Sequence, residues 1–355
     1  MTRFACLALG LSLLAVPPAA SAQPGEPPAM SQEQVQPRLD VAFDRLVEAG
    51  FTGFVMIAHQ GQTVYARGED SAEMEFGPDT PIDILSMSKS FTGMVLARLI
   101  EDGQLTPDTN LADLFGPVPA DKADITVHQM LTHSAGLPHA LGEDTEYLDR
   151  DAYLARAWET PLLFEPGARY EYSNVGYSLL AAVVEVITGE DYDTYLRRNF
   201  LEPAGLTHTG YESQCCDSLA AEAVTATSWG GNRASWHLIG NGGMLSTPSD
   251  MLAWVLAYER GELAGPAATE RAHQPYQREG ENAPSHYGYG LVVEDLPDLG
   301  RVYWHNGGSR AFNGHWRYYA DHDVAIFVTS DQWDVDPDSA ERALARALLA
   351  AETAD

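Results

Sequence analysis

The residues of this chain best suited to chemistry begin at Ser86-Met87-Ser88-Lys89. This segment follows Pro81-Ile82-Asp83-Ile84-Leu85 and opens an apolar stretch carrying Phe91, Met94, Val95, Leu96 and Leu99. A helix is therefore expected from about Ser86 to Asp102, closed by Gly103. On a helix, residues i and i+3 share a face, which brings the Lys89 amine within reach of the Ser86 hydroxyl. A serine hydroxyl is a weak nucleophile, and a lysine whose pKa is lowered by burial can take its proton. The apolar neighbours make this a core helix, so Lys89 is not expected to be freely solvated. Composition points the same way: among 21 basic residues only Lys89 and Lys122 are lysines. Arginine does not deprotonate in proteins and could not replace Lys89 as a base.

Two further segments carry candidate groups. Tyr170-Glu171-Tyr172-Ser173-Asn174 follows the Pro166-Gly167 turn and precedes a helix expected over Gly176 to Thr188. In an extended loop Tyr172 and Asn174 point the same way, offering one phenol and one amide to a common cleft. Trp304-His305-Asn306-Gly307-Gly308 lies on a strand expected to end near His305. Paired glycines let a substrate carbonyl approach an edge strand, where exposed N–H groups can complete an oxyanion hole with the N–H of Ser86.

The elements that must position these groups have a simple order. An amphipathic helix is expected over Ser31 to Gly50, with Val41, Phe43, Leu46 and Val47 on its apolar side. Phe51 to Arg67 alternates as a hairpin around His59-Gln60-Gly61-Gln62, and strand patterns return in Tyr289–Glu294, Arg301–His305, Asn313–Tyr319 and Val324–Thr329. A helix over Ser339 to Ala350 follows. The expected fold class is α/β of the α+β type, a mainly antiparallel sheet built from both ends of the chain and flanked by helices. The sheet lobe covers about 31–85 and 280–355, and a mostly helical lobe, about 105–275, is inserted between. A cleft between lobes is a common place for a ligand site.

Together these segments resemble the serine β-lactamase and penicillin-binding-protein superfamily, in its class C β-lactamase-like branch. That branch includes DD-peptidases, D-amino-acid-specific peptidases and family VIII carboxylesterases. The resemblance runs from about Phe51 to Asp331 and includes Ile125-Thr126-Val127-His128-Gln129-Met130-Leu131-Thr132-His133-Ser134-Ala135-Gly136-Leu137-Pro138 and the glycine-rich turn Asn241-Gly242-Gly243-Met244-Leu245-Ser246-Thr247-Pro248-Ser249-Asp250-Met251. It implies Ser86 as the acyl-forming nucleophile, Lys89 as its base and Tyr172 as proton shuttle to the leaving group. Asn174 would hold Lys89 and a substrate amide. His305, Asn306 and Gly307 would form the strand triplet, with Gly308 supplying a second oxyanion N–H. The implied reaction is acyl transfer to Ser86 and then to water, without a cofactor, on a small ester, peptide or β-lactam. His305 departs from the lysine usual at its position. A histidine is mostly neutral at pH 7, so grip on a substrate carboxylate is expected to be weaker or pH-dependent. Ester or peptide hydrolysis therefore ranks above β-lactam hydrolysis, and a non-catalytic relative that binds penicillin or cell-wall peptide is the other reading.

The 355 residues carry a formal net charge of −30 and are 45% hydrophobic, which suits a packed core and disfavours nucleic-acid and anionic-membrane partners. Arg3, the apolar run Phe4 to Val16 and Ala20-Ser21-Ala22 read as a signal peptide over 1–22, leaving 23–355 as a periplasmic or secreted hydrolase domain with no membrane span. Cys215 and Cys216 are adjacent and cannot build a disulfide framework; as a strained vicinal disulfide or as two thiols in a loop, they read as a local structural pair. No metal-binding spacing and no GxSxG elbow occur. Ser228-Trp229-Gly230-Gly231 reads as a structural turn, His133 and His139 as structural, and Arg317 as a strand residue able to reach the cleft.

Overall fold

The structure, a computed structural model, describes residues 30–211, 235–332 and 335–349. The expected signal segment, Cys215-Cys216 and Ser228-Trp229-Gly230-Gly231 lie outside the described residues. Helix α1 (Gln32–Glu48) leads into the hairpin β1 (Gly53–His59) and β2 (Gln62–Glu69), then the short β3 (Ile82–Asp83). A single 3-10 turn, Leu85–Met87, runs straight into α2 (Ser88–Glu101). The middle of the chain supplies α3 (Leu111–Phe115), α4 (Val127–Leu131), α5 (Arg150–Glu159), α6 (Asn174–Thr188), α7 (Tyr192–Leu196), β4 (Leu245–Ser246), α8 (Pro248–Glu259) and α9 (Pro266–Ala272). Strands β5 (Gln277–Arg278), β6 (His286–Tyr287), β7 (Val292–Leu296), β8 (Gly300–Gly308), β9 (Asn313–Tyr319) and β10 (Val324–Ser330) precede α10 (Pro337–Leu349).

The main sheet is antiparallel with the order β2-β1-β10-β9-β8-β7-β6-β5, so β1 joins β10 and the two ends of the chain close one sheet. Strand β1 is buried along its whole length, as a strand covered on both faces must be. On one face α1 and α10 pack through Val35, Leu39, Phe43, Leu344 and Leu348 against Val55, Ile57, Val302 and Ile326. On the other face lie α2 and the helical middle, in a larger core that includes Phe91 stacked on Trp254 at 3.7 Å between ring centroids. Helix α2 is buried almost throughout, because both α9 and α6 press on it. Its Gly93 is required: a Cβ there would sit 2.1 Å from the carbonyl oxygen of Tyr289.

Several local expectations are corrected. Val41 is 52% exposed, since α1 turns Val35, Leu39 and Phe43 inward and leaves Val41 on the solvent side. The last strand of the cleft edge does not end at His305; β8 continues through Gly308 because β9 pairs with it to that point. The preceding strand starts at Val292 rather than Tyr289, which is drawn instead into contact with α9 through its N–H to the Ala272 carbonyl. Trp316 and Arg317 are both buried, and Arg317 does not reach the cleft. Its guanidinium donates to Glu341 (2.6 Å) and Asp338 (2.7 Å) of α10, on the opposite face of the sheet.

Candidate active site

Ser86 sits in the 3-10 turn that introduces α2, and the backbone entering that turn is strained. Leu85 has φ +51°, a left-handed conformation costly for a non-glycine residue. The buried Asp83 carboxylate stabilises it by accepting the Leu85 N–H at 2.9 Å. One turn on, Lys89 is completely buried, with Nζ 3.1 Å from Ser86 Oγ. Nζ donates to the backbone carbonyl of Asn241 at 2.7 Å, a neutral acceptor. Burial drives the Lys89 pKa well below its ordinary value, and the Asp144 carboxylate opposes this only in part. A neutral amine at this distance can accept the hydroxyl proton.

Tyr172 lies over the same pair, with Lys89 Nζ 4.8 Å from its ring centroid. Burial raises the phenol pKa and the adjacent Ser86 hydroxyl pulls it part of the way back, so the phenol keeps its proton at neutral pH. Its loop is fixed by His133, a residue at φ +57° whose carbonyl accepts the Glu171 N–H and whose Nδ1 accepts the Ser173 N–H. The His133 ring also rests 4.3 Å from that of Tyr172. Burial holds His133 neutral, as an accepting Nδ1 requires. Asn174 is the first residue of α6 rather than a loop residue, with Ser173 capping the helix through the Gly176 N–H. Its Oδ1 is buried without a hydrogen-bond partner, and the hydrogen bonds of Lys89 go to Ser86 and Asn241 instead.

Strand β7 pairs with β8 only from Gly300 to Trp304, so His305 to Gly308 present an unpaired edge beside the Ser86 turn. Gly307 is packed against that turn: a Cβ there would lie 2.7 Å from the Ile84 oxygen and 3.0 Å from Ser86 N. Strand alternation then sends the exposed Asn306 side chain to the other face, and Gly308 ends the strand exposed. His305 shares the Gly307 face but is only 2% exposed. Its Nδ1 donates to the Asn306 carbonyl (2.6 Å), and its Nε2 accepts from the Tyr287 hydroxyl (2.9 Å). Burial first, and the nearby Lys89 second, lower its pKa to about 3. Of the two expectations, a weaker or a pH-dependent grip, a histidine neutral across the working range agrees with the weaker one.

The Beta-lactamase family model matches residues 39–351. This chain belongs to the β-lactamase family. It is 25% identical over 328 residues to a penicillin-binding protein of Bacillus subtilis (strain 168), covering 83% of this chain and 71% of that one. It is 31% identical over 202 residues to the esterase EstB of Burkholderia gladioli, covering 50% of this chain and 51% of EstB, so the alignment spans about half of each. The D-amino acid amidase of Ochrobactrum anthropi SV3 superposes over 90% of this chain and 99% of its own with a TM-score of 0.75 at 19% identity, a likeness of fold. Hydrolases of several kinds thus share this architecture.

Two contributors to the site escape a reading of motifs. Asn241 was legible only as part of a glycine-rich turn; its carbonyl receives Lys89, while its amide is held by Ser178 (2.8 Å) and the His237 carbonyl (2.7 Å). Tyr287, in β6, carries no sequence signal beyond being aromatic in a strand. Among the described residues, His315, Asp338 and Glu341 place ligand atoms within 4.8 Å of one another. Arg317 already pairs with both carboxylates, which makes this a buried ion-pair cluster fastening α10 to β9. No helix of the described residues is long and apolar enough to cross a membrane.

Proposed function

We propose that this family member is an exported serine hydrolase that forms an acyl-enzyme on Ser86 and hydrolyses ester or amide bonds of small substrates. The observation that carries this reading is the buried Lys89 amine 3.1 Å from the Ser86 hydroxyl, with a lowered pKa and a carbonyl rather than a carboxylate as its other direct partner. Lys89 takes the Ser86 proton as the hydroxyl attacks the substrate carbonyl. The oxyanion is received by the N–H groups of Ser86 and Gly308 at the unpaired edge of β8. Tyr172 passes a proton to the departing group, and water attacks the ester in turn, with the same groups acting in reverse. The unpartnered Asn174 Oδ1 is available to a substrate amide N–H. The substrate cleft lies between the sheet lobe (31–85 and 280–355) and the helical lobe (105–275). The apolar run in residues 1–22 serves as the export signal.

A neutral, sealed His305 supports ester or amide hydrolysis over β-lactam hydrolysis, because it offers no cation to a carboxylate beside the leaving group. The EstB likeness favours esters, and the amidase likeness leaves amides of D-amino acids as the second reading. The test is steady-state kinetics on short-chain p-nitrophenyl esters, a D-Ala-D-Ala peptide and a chromogenic cephalosporin, each against Ser86→Ala. Ester turnover that vanishes in Ser86→Ala supports the proposal. Turnover of none, with penicillin bound but not released, would favour a non-catalytic binding relative.

A further inference from the structure

We propose that Arg310 recognises an anionic group on the acyl side of the substrate; the inference rests on the serine-hydrolase reading above. The direction of the substrate follows from the site. The leaving group must meet its proton source, so it lies toward Tyr172 and Lys89. That side is hostile to anions. His305 is sealed under Tyr287, the Glu279 carboxylate is held there by the hydroxyls of Tyr170 (3.1 Å) and Ser285 (2.6 Å), and Asp144 lies near enough to act on Lys89. The acyl portion extends the other way, along β8 past Gly307 and Gly308.

Arg310 stands at that end. It occupies the turn between β8 and β9, three residues beyond the glycine whose Cβ position abuts Ser86 N at 3.0 Å. Its backbone is set by Ser309, whose Oγ accepts the N–H groups of Ala311 and Phe312, both at 3.1 Å, while the Phe312 ring is buried below. The Arg310 side chain is exposed and, among the described residues, has neither a hydrogen bond nor an ion pair. Two other arginines among the described residues are neutralised: Arg169 pairs with Glu171 (2.6 Å) and Arg156 with Glu146 (2.7 Å). In a chain with 51 acidic and 21 basic residues, an exposed cation without a carboxylate among the described residues, in the turn that follows Gly307 and Gly308, is a receptor for one brought by a ligand. The favoured substrates are therefore half-esters or half-amides of dicarboxylic acids, or other acyl donors ending in an anion, with a neutral or cationic leaving group.

The experiment compares 4-nitrophenyl hydrogen glutarate with 4-nitrophenyl butyrate, which differ by an acyl-side carboxylate. The quantity read is the ratio of kcat/KM, charged over neutral. Arg310→Ala lowers that ratio about tenfold, chiefly through KM, Arg310→Lys keeps most of it, and added salt erodes it in the wild type. An unchanged ratio in Arg310→Ala, or an equal loss on both esters, overturns the inference. If the wild type hydrolyses neither ester in a Ser86-dependent way, the hydrolase reading fails instead. Calorimetric binding of glutarate to Ser86→Ala, with and without Arg310→Ala, then still decides the role of Arg310: loss of binding sustains it and equal binding refutes it.

Discussion

Gly307→Ala tests whether the fit between β8 and the Ser86 turn limits the chemistry. The added Cβ would stand 2.7 Å from the Ile84 oxygen, 2.8 Å from Leu85 Cβ and 3.0 Å from Ser86 N. All three belong to rigid groups, and one of them is the residue held at φ +51°. Restoring an ordinary contact near 3.5 Å means parting strand and turn by about 0.8 Å. A misplacement of this order costs roughly 50-fold in rate, or about 2.3 kcal/mol of transition-state stabilisation. The overpacking itself costs about 1–3 kcal/mol of stability, lowering the melting temperature by several degrees. Gly314→Ala is the matched control on the paired strand, because its first contact is the flexible end of Met87 at 2.8 Å. The assay is kcat/KM on a p-nitrophenyl ester together with thermal unfolding for both variants. Undiminished turnover in Gly307→Ala, or equal losses in the two variants, would refute the reasoning.

Other consequences follow from the buried ionisable groups. Lys89 has a lowered pKa in the folded state, so the unfolded chain binds the extra proton. Between the two pKa values the wild type should therefore gain stability over Lys89→Met as pH rises, a slope that denaturant melts from pH 6 to 9 would read; a gap independent of pH would count against a neutral Lys89. His305, with a folded pKa of about 3, contributes stability that is complete above 6.5 and is lost as pH falls from there toward 3. His305→Asn should accordingly flatten the acid limb of the unfolding profile, and an unaltered limb would contradict the assignment. Arg317→Ala leaves the buried Glu341 without its cation and should cost about 3–5 kcal/mol in denaturant unfolding, while Ser86 in the remaining folded protein keeps its reactivity. A loss below 1 kcal/mol would show the cluster to be incidental.

How far the sequence could be read depended on whether a feature was local. Ser86 and Lys89 were legible because helical spacing and an apolar context are local, and the two ends of the sheet because strand alternation is. What lay hidden depends on distant partners. Nothing near Lys89 in sequence announces the Asn241 carbonyl, 152 residues away. His305 reads as a histidine open to titration until Tyr287 is seen to donate to it. Arg317 looked free to enter the cleft because its carboxylates belong to a helix 21 and 24 residues further on. His133 reads as a loop histidine, and only tertiary structure reveals that it fixes the backbone on both sides of Tyr172. Leu85 carries no sequence sign of its left-handed backbone, since residues that tolerate such strain are ordinarily glycine or asparagine.

The central claim, that a neutral Lys89 activates Ser86, is tested most directly by the rate of fluorophosphonate labelling as a function of pH, with the labelled peptide identified by mass spectrometry. The account predicts one adduct, on Ser86, whose rate rises through a single ionisation below the ordinary lysine pKa of 10.5. It also predicts that Lys89→Met abolishes the rise and labels at least about 100-fold more slowly. Labelling at another residue, or a Lys89→Met protein that reacts at the wild-type rate with the wild-type pH profile, would contradict it.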